Sequence, residues 1–237
     1  MTRMIVVVCL ASALCGCAVQ ADAPAPAAQR EDGAADQVQG SPSVQPTKPP
    51  ASTALAQQAV HCDVEAKCLA KLPGIASRSG KTLNLKLDDG STKSFITNSC
   101  DADDRCEETS LIEYRPSQRL FVLSVGYYES RGSFIVSRRT GEVFRIDDAD
   151  PNFSPDGKRF VIVAASEQDG ENQVSIYSMS SFPPPLEWKH VPKSIDTMYK
   201  FVGWNGNDQI KLLTLRQNSE ASVSRTARGW TLAPPDG

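Results

Sequence analysis

Two histidines, seven cysteines and two clusters of acids are what this 237-residue chain offers to catalysis or metal binding. Any Ser-His-Asp or Cys-His site must draw on His61 or His190. His61 abuts Cys62, and His190 shares a short stretch with Trp188. The chain contains no Gly-x-Ser-x-Gly elbow, glycine-rich phosphate loop or His-Glu-x-x-His pair, so both histidines read as ordinary strand or surface residues. Asp101-Ala-Asp-Asp104 and Asp147-Asp-Ala-Asp150 carry the hard oxygens that Ca²⁺ prefers. Neither has the alternating Asp spacing that ends on a bidentate Glu. Asp147 to Asp150 also stand just before Pro151, where turn-forming Asp is expected. The expectation is no metal, no cofactor and no enzyme.

The cysteines carry more. Cys62 and Cys68, and Cys100 and Cys106, make two Cys-x5-Cys pairs. Zinc, with His61 alongside, is the sharper alternative, but this spacing is wider than that of a zinc knuckle. In an exported chain four cysteines read as two disulfides, with three connectivities open. Local pairs, each closing a small loop, are favoured. Bonds between the two segments are the alternative.

Export is expected from the first residues. Arg3 supplies a basic start, and Met4 to Leu14 is apolar and too short to cross about 30 Å of hydrocarbon, which points to a cleaved signal. The run ends in Leu14-Cys-Gly-Cys17, which resembles the lipobox of bacterial lipoproteins, with Cys15 departing from its usual residue. The resemblance implies a signal peptide over 1–16, lipid on Cys17 and anchorage in a membrane. Ala18 stands where Asp would resemble an inner-membrane retention signal, so the outer membrane is implied. An ordinary secretory signal is the alternative. Residues 17–58 then hold the lipidated cysteine and a linker rich in Ala, Pro, Gln and Ser, without an aromatic residue. Such a composition cannot bury enough to fold. As a coil of about 41 residues it would span roughly 35 Å.

Net charge is −3, with acids and bases interspersed. No basic stripe argues for nucleic acid.

Residues 59–237 must supply the elements that position any site. Residues 59 to 73 predict a short helix or an irregular cover, and no long amphipathic helix follows. Thr82 to Leu87 alternates strictly, turns at Asp88 to Ser91 and returns over Thr92 to Thr97 as a hairpin. Further strands are expected at 110–114, 120–128, 133–137, 142–146, 160–165, 173–178, 186–191, 200–204, 209–215, 222–226 and 229–232. Phe153-Ser-Pro-Asp-Gly-Lys158 sets a turn before the apolar run Phe160 to Ala165. Pro fixes φ, Gly accepts positive φ, and Val and Ile favour a pleated strand. This stretch resembles the blade starts of TolB-type β-propeller repeats. Weaker turns precede Leu83, Leu120 and Ile210, at intervals of 37, 40 and 50 residues, close to one four-stranded blade. The fold class is all-β: an antiparallel meander forming a small or incomplete propeller-like repeat domain, with a β-sandwich as the alternative.

Exposed Tyr and Trp make good interface anchors. Tyr127, Tyr128 and Trp204 form the candidate binding face, with one of the two neighbouring tyrosines expected to point outward. The expected function is that of a periplasm-facing, outer-membrane-anchored lipoprotein with a non-catalytic domain that binds an envelope protein or cell-wall component. An immunity or inhibitor lipoprotein that neutralises a periplasmic toxin or hydrolase is one alternative. A periplasmic hydrolase using Asp147, Asp148 and Asp150 is another.

Overall fold

A computed structural model describes residues 58–100, 106–165 and 172–234. The signal, Cys17 and the linker to Gln57 lie outside these residues, as do Asp101 to Asp104 and the predicted turn at 168–171.

The described chain is all-β with one short helix, and its strands form four antiparallel sheets. The first sheet holds β2 (Ala76–Ser79), β3 (Thr82–Lys86) and β4 (Thr92–Ile96). The second runs β5 (Glu108–Arg115), β6 (Leu120–Gly126), β7 (Arg131–Ser137) and β8 (Val143–Asp147), with β1 (Val60–His61) added to the edge of β5. The third holds β9 (Asn152–Phe153), β10 (Arg159–Ala164), β11 (Gln173–Ser178) and β12 (Leu186–His190). The fourth holds β13 (Tyr199–Trp204), β14 (Gln209–Thr214), β15 (Ser219–Thr226) and β16 (Gly229–Ala233). Apart from β1, each sheet is a meander whose neighbours in sequence are neighbours in space.

The four turns singled out in sequence occupy one topological place. Each joins the first and second strands of its meander: β2 to β3, β5 to β6, β9 to β10 and β13 to β14. Each contains one residue at positive φ: Gly80, Arg119, Gly157 and Gly206. Three are glycines, which take this conformation without steric cost, whereas Arg119 does not have that freedom. The second turn begins at Pro116, because Arg115 closes β5.

Three core layers lie between the four sheets. Leu83, Leu85, Phe95, Phe121, Leu123, Phe134 and Val136 fill the layer between the first and second sheets. Leu120, Ile135, Ile146, Phe160 and Ile162 fill the next. Val161, Val174, Ile176, Tyr199, Ile210, Leu212 and Trp230 fill the last. Period-two geometry sends successive side chains of one strand to opposite faces. Phe160 and Ile162 therefore enter one core and Val161 the other, and Leu120 and Phe121 divide in the same way. Among the described residues no core cluster joins the first sheet to the fourth. Their outer faces meet solvent, with Ile96 63% and Val202 60% exposed.

Helix α1 (Glu65–Lys71) covers the edge of the first core. Cys62 and Cys68 bracket its start at disulfide geometry, with Cα atoms 5.5 Å apart; Cys100 and Cys106, between β4 and β5, also pair, with Cα atoms 4.9 Å apart. Both pairs are local. Glu65 ties the helix to two sheets. Its carboxylate accepts from Nη2 of Arg78 at 2.8 Å and from the amide of Leu111 at 2.9 Å, while Arg78 also donates to the carbonyl of Thr109 at 2.7 Å.

Candidate functional site: a cleft framed by two β-bulges

The first strands of the second, third and fourth sheets meet at a cleft of about 490 Å³. β5 contributes Ile112, Glu113 and Arg115, β9 and the two residues before it contribute Asp150 to Phe153, and β13 contributes Phe201, Gly203 and Trp204; His61 of β1 and Val122 of β6 complete the lining.

Two β-bulges set this lining. In β5 the register with β6 shifts between Leu111 and Glu113. An unbroken alternation would put Leu111 and Tyr114 on opposite faces, yet both enter the first core. The extra residue, Ile112, reverses the parity and leaves Glu113 and Arg115 facing the cleft. In β13 the register shifts between Phe201 and Gly203. Val202 is the extra residue and is exposed, and both Phe201 and Trp204 pack against the third core while lining the cleft.

The charged groups of the cleft are partnered. Glu113 accepts from Nη1 of Arg115 and lies 3.8 Å from Nδ1 of His61. The guanidinium of Arg115 stands 4.0 Å from the ring centroid of Phe153, a cation–π contact, and its Nε is buried without a hydrogen-bond partner. Asp150 accepts from the hydroxyl of Ser133 at 2.6 Å and from Arg131 at 3.4 Å. Trp204 donates its indole N–H to the carbonyl of Asn152 at 3.0 Å, joining the fourth sheet to the third. Aromatic surface beside paired charges suits recognition of a polar ligand or side chain by stacking and hydrogen bonding. Among the described residues no three His, Cys, Asp or Glu side chains lie close enough together to hold a metal ion.

The sequence-predicted binding residues separate. Trp204 is in the cleft. Tyr127 and Tyr128 sit at the opposite end of the second sheet from its Pro116 turn, in the connection after β6 rather than on the strand. The Tyr127 amide bonds to the carbonyl of Ser130, which closes the turn and ends the pleat. Tyr128 is 60% exposed, whereas Tyr127 packs against the first core, where burial and the nearby Glu107 raise its phenol above the ordinary value. Phe153 was named only as the first residue of the turn motif and not as a site residue, and Glu113, Arg115 and Phe201 were not singled out by composition or motif. Their signal is the broken spacing of Leu111-x-x-Tyr114 and Phe201-x-x-Trp204, where a strict alternation slips by one.

At the end that carries the second, third and fourth turns the sheets are joined by polar contacts. Asp88, which lies in the turn between β3 and β4 and not in the Gly80 turn, binds Arg119 at 2.9 Å and Arg138 at 3.2 Å, linking the first and second sheets. A β-carbon on Gly157 would collide with Nε2 of Gln118, so the second and third turns touch. Asn207 accepts from the amide of Asp156 at 3.1 Å, linking the third and fourth. Burial opposes the charge of Asp156, but the amide of Lys158 and the hydroxyl of Ser154 outweigh it and hold its carboxyl below the ordinary value. Glu187 accepts from Arg159 at 2.7 Å and Trp230 at 3.0 Å; these bonds outweigh its burial and lower its pKa as well.

No protein-family model, no curated protein and no solved structure matches the chain.

Proposed function

We propose that this chain is an outer-membrane-anchored periplasmic lipoprotein. Its four meanders act as degenerate TolB-like repeats and form a non-catalytic domain that binds an envelope protein or cell-wall component. Lipid on Cys17 tethers the domain, and the Pro- and Ala-rich segment to residue 58 gives it reach. The observation that carries the binding role is the pair of bulges in β5 and β13. They turn Glu113 and Arg115, and bring Phe201 and Trp204, into one cleft. Bulges weaken the ladder locally, and they gather where a side chain is re-aimed for use. The acids of the cleft are held by Arg115, Arg131 and Ser133, which favours recognition over proton transfer.

The test uses the full chain in detergent as bait for envelope extract and peptidoglycan digest, alongside R115K and F201L variants. A partner retained by the wild type and lost by both variants supports the reading; retention by all three places recognition elsewhere. Metabolic labelling with palmitate tests the anchor, and labelling that persists in a Cys17→Ala chain refutes it.

A further inference from the structure

A second cleft, of about 510 Å³, opens between the second and third sheets at the turn end. Three cations line it, Arg139, Lys158 and Arg159, against the single carboxylate of Asp156. Two of the cations retain capacity for a ligand. Arg159 is committed to Glu187. Asp156 is occupied by the Ser154 hydroxyl at 2.7 Å and the Lys158 amide at 3.0 Å, and stands 4.0 Å from the Lys158 ammonium. Arg139 has no acidic partner among the described residues. With Glu187 answering Arg159 and Asp156 facing Lys158, Arg139 is the cation left over in this cleft of a chain of net charge −3, and its unmatched charge attracts an anion.

The remaining lining narrows the ligand. Hydroxyls of Ser178, Ser180 and Ser181 border the cleft beside the side chains of Met179 and Phe182. Serine hydroxyls donate and accept, which matches sugar hydroxyls, and an apolar patch matches the C–H face of a sugar ring. Arg presents a planar fork to a carboxylate or phosphate, and Lys adds a point charge. We propose that this cleft binds an anionic sugar. Its carboxylate or phosphate sits between Arg139 and Lys158, its hydroxyls face the serines, and its ring lies against Met179 and Phe182. The site is separate from the bulge-framed cleft and does not depend on what that cleft binds.

Titration calorimetry on the full chain in detergent micelles tests this with three probes: N-acetylmuramic acid, glucose 6-phosphate and neutral N-acetylglucosamine. At least one anionic sugar is expected to bind and the neutral one to give no heat. Binding of only the carboxylate or only the phosphate identifies which anion the cleft serves. The double variant R139Q/K158Q, both residues lying on the surface, should keep its circular dichroism spectrum and weaken binding by about tenfold or more. Equal binding of the neutral sugar, unchanged affinity in the double variant, or no binding of either anionic sugar up to roughly 10 mM overturns the proposal.

Discussion

The two middle sheets and the two outer ones solve different burial problems with the same meander. β6 and β7 in the second sheet and β10 and β11 in the third are buried on both faces, and Leu120 to Leu123 and Phe160 to Val163 read as continuous apolar runs. β3 in the first sheet and β16 in the fourth bury one face only, and their sequences alternate. A strand sandwiched between two cores has no polar side, whereas a strand of an outer sheet has one face to water. Position in the stack is therefore written into the pattern of these strands. The candidate cleft departs from both rules, since it lies where alternation slips.

The contrast can be broken by substitution. Phe160 is fully buried and touches Phe144, Phe153 and Tyr177. Phe160→Ala should lower unfolding free energy by about 3–5 kcal/mol, while Val202→Ala on the outer face of the fourth sheet should stay within about 0.5 kcal/mol. Urea melts of the two variants decide this; equal losses would mean that the outer face is covered.

The clamp at the edge of the first core comes next. Glu65→Ala leaves the guanidinium of Arg78 and the amide of Leu111 without their acceptor. A loss of about 2–4 kcal/mol is expected in the same melts.

Smaller again is the turn contact between the middle sheets. Gly157→Ala meets both a positive φ and the end of Gln118, for a cost of about 1–2 kcal/mol. In a Gln118→Ser background the steric part is relieved, so the loss should shrink. An identical loss in both backgrounds would show that the two turns do not press on each other.

The smallest effect is on pH dependence. Asp156 and Glu187 have folded pKa values below their ordinary ones. The unfolded chain therefore takes up protons first as pH falls. The stability they contribute is complete above the unfolded carboxylate range, near pH 4, and is lost as pH drops through the folded values. The urea midpoint should fall between about pH 5 and pH 3, with a shallower decline in Glu187→Gln. An equal slope in wild type and variant would remove Glu187 from the acid response.

Much of the fold was legible. The hairpin at Thr82, the Pro-Asp-Gly turn before Phe160 and the worn turns before Leu83, Leu120 and Ile210 all lie where composition and spacing put them. Turn chemistry and strand patterning act within a few residues. The cleft was less legible, because a bulge is defined against a partner strand. Leu111-x-x-Tyr114 reads as noise until β6 supplies the register that makes Ile112 the extra residue. Tyr127 and Tyr128 were misplaced onto a strand for a related reason: only the hydrogen bond from the Tyr127 N–H to the Ser130 carbonyl shows that the pleat has already ended.

What the sequence by itself determined was the class of object: all-β, meandering, with four repeated turns and cysteines spaced for small loops. Each follows from backbone preferences carried by individual residues. Tertiary structure alone decided which core receives each side of a strand, how the second, third and fourth turns touch in a row, and that Arg115, Phe153 and Trp204 share a wall. Period two settles that neighbours part company, but only packing settles where each one goes.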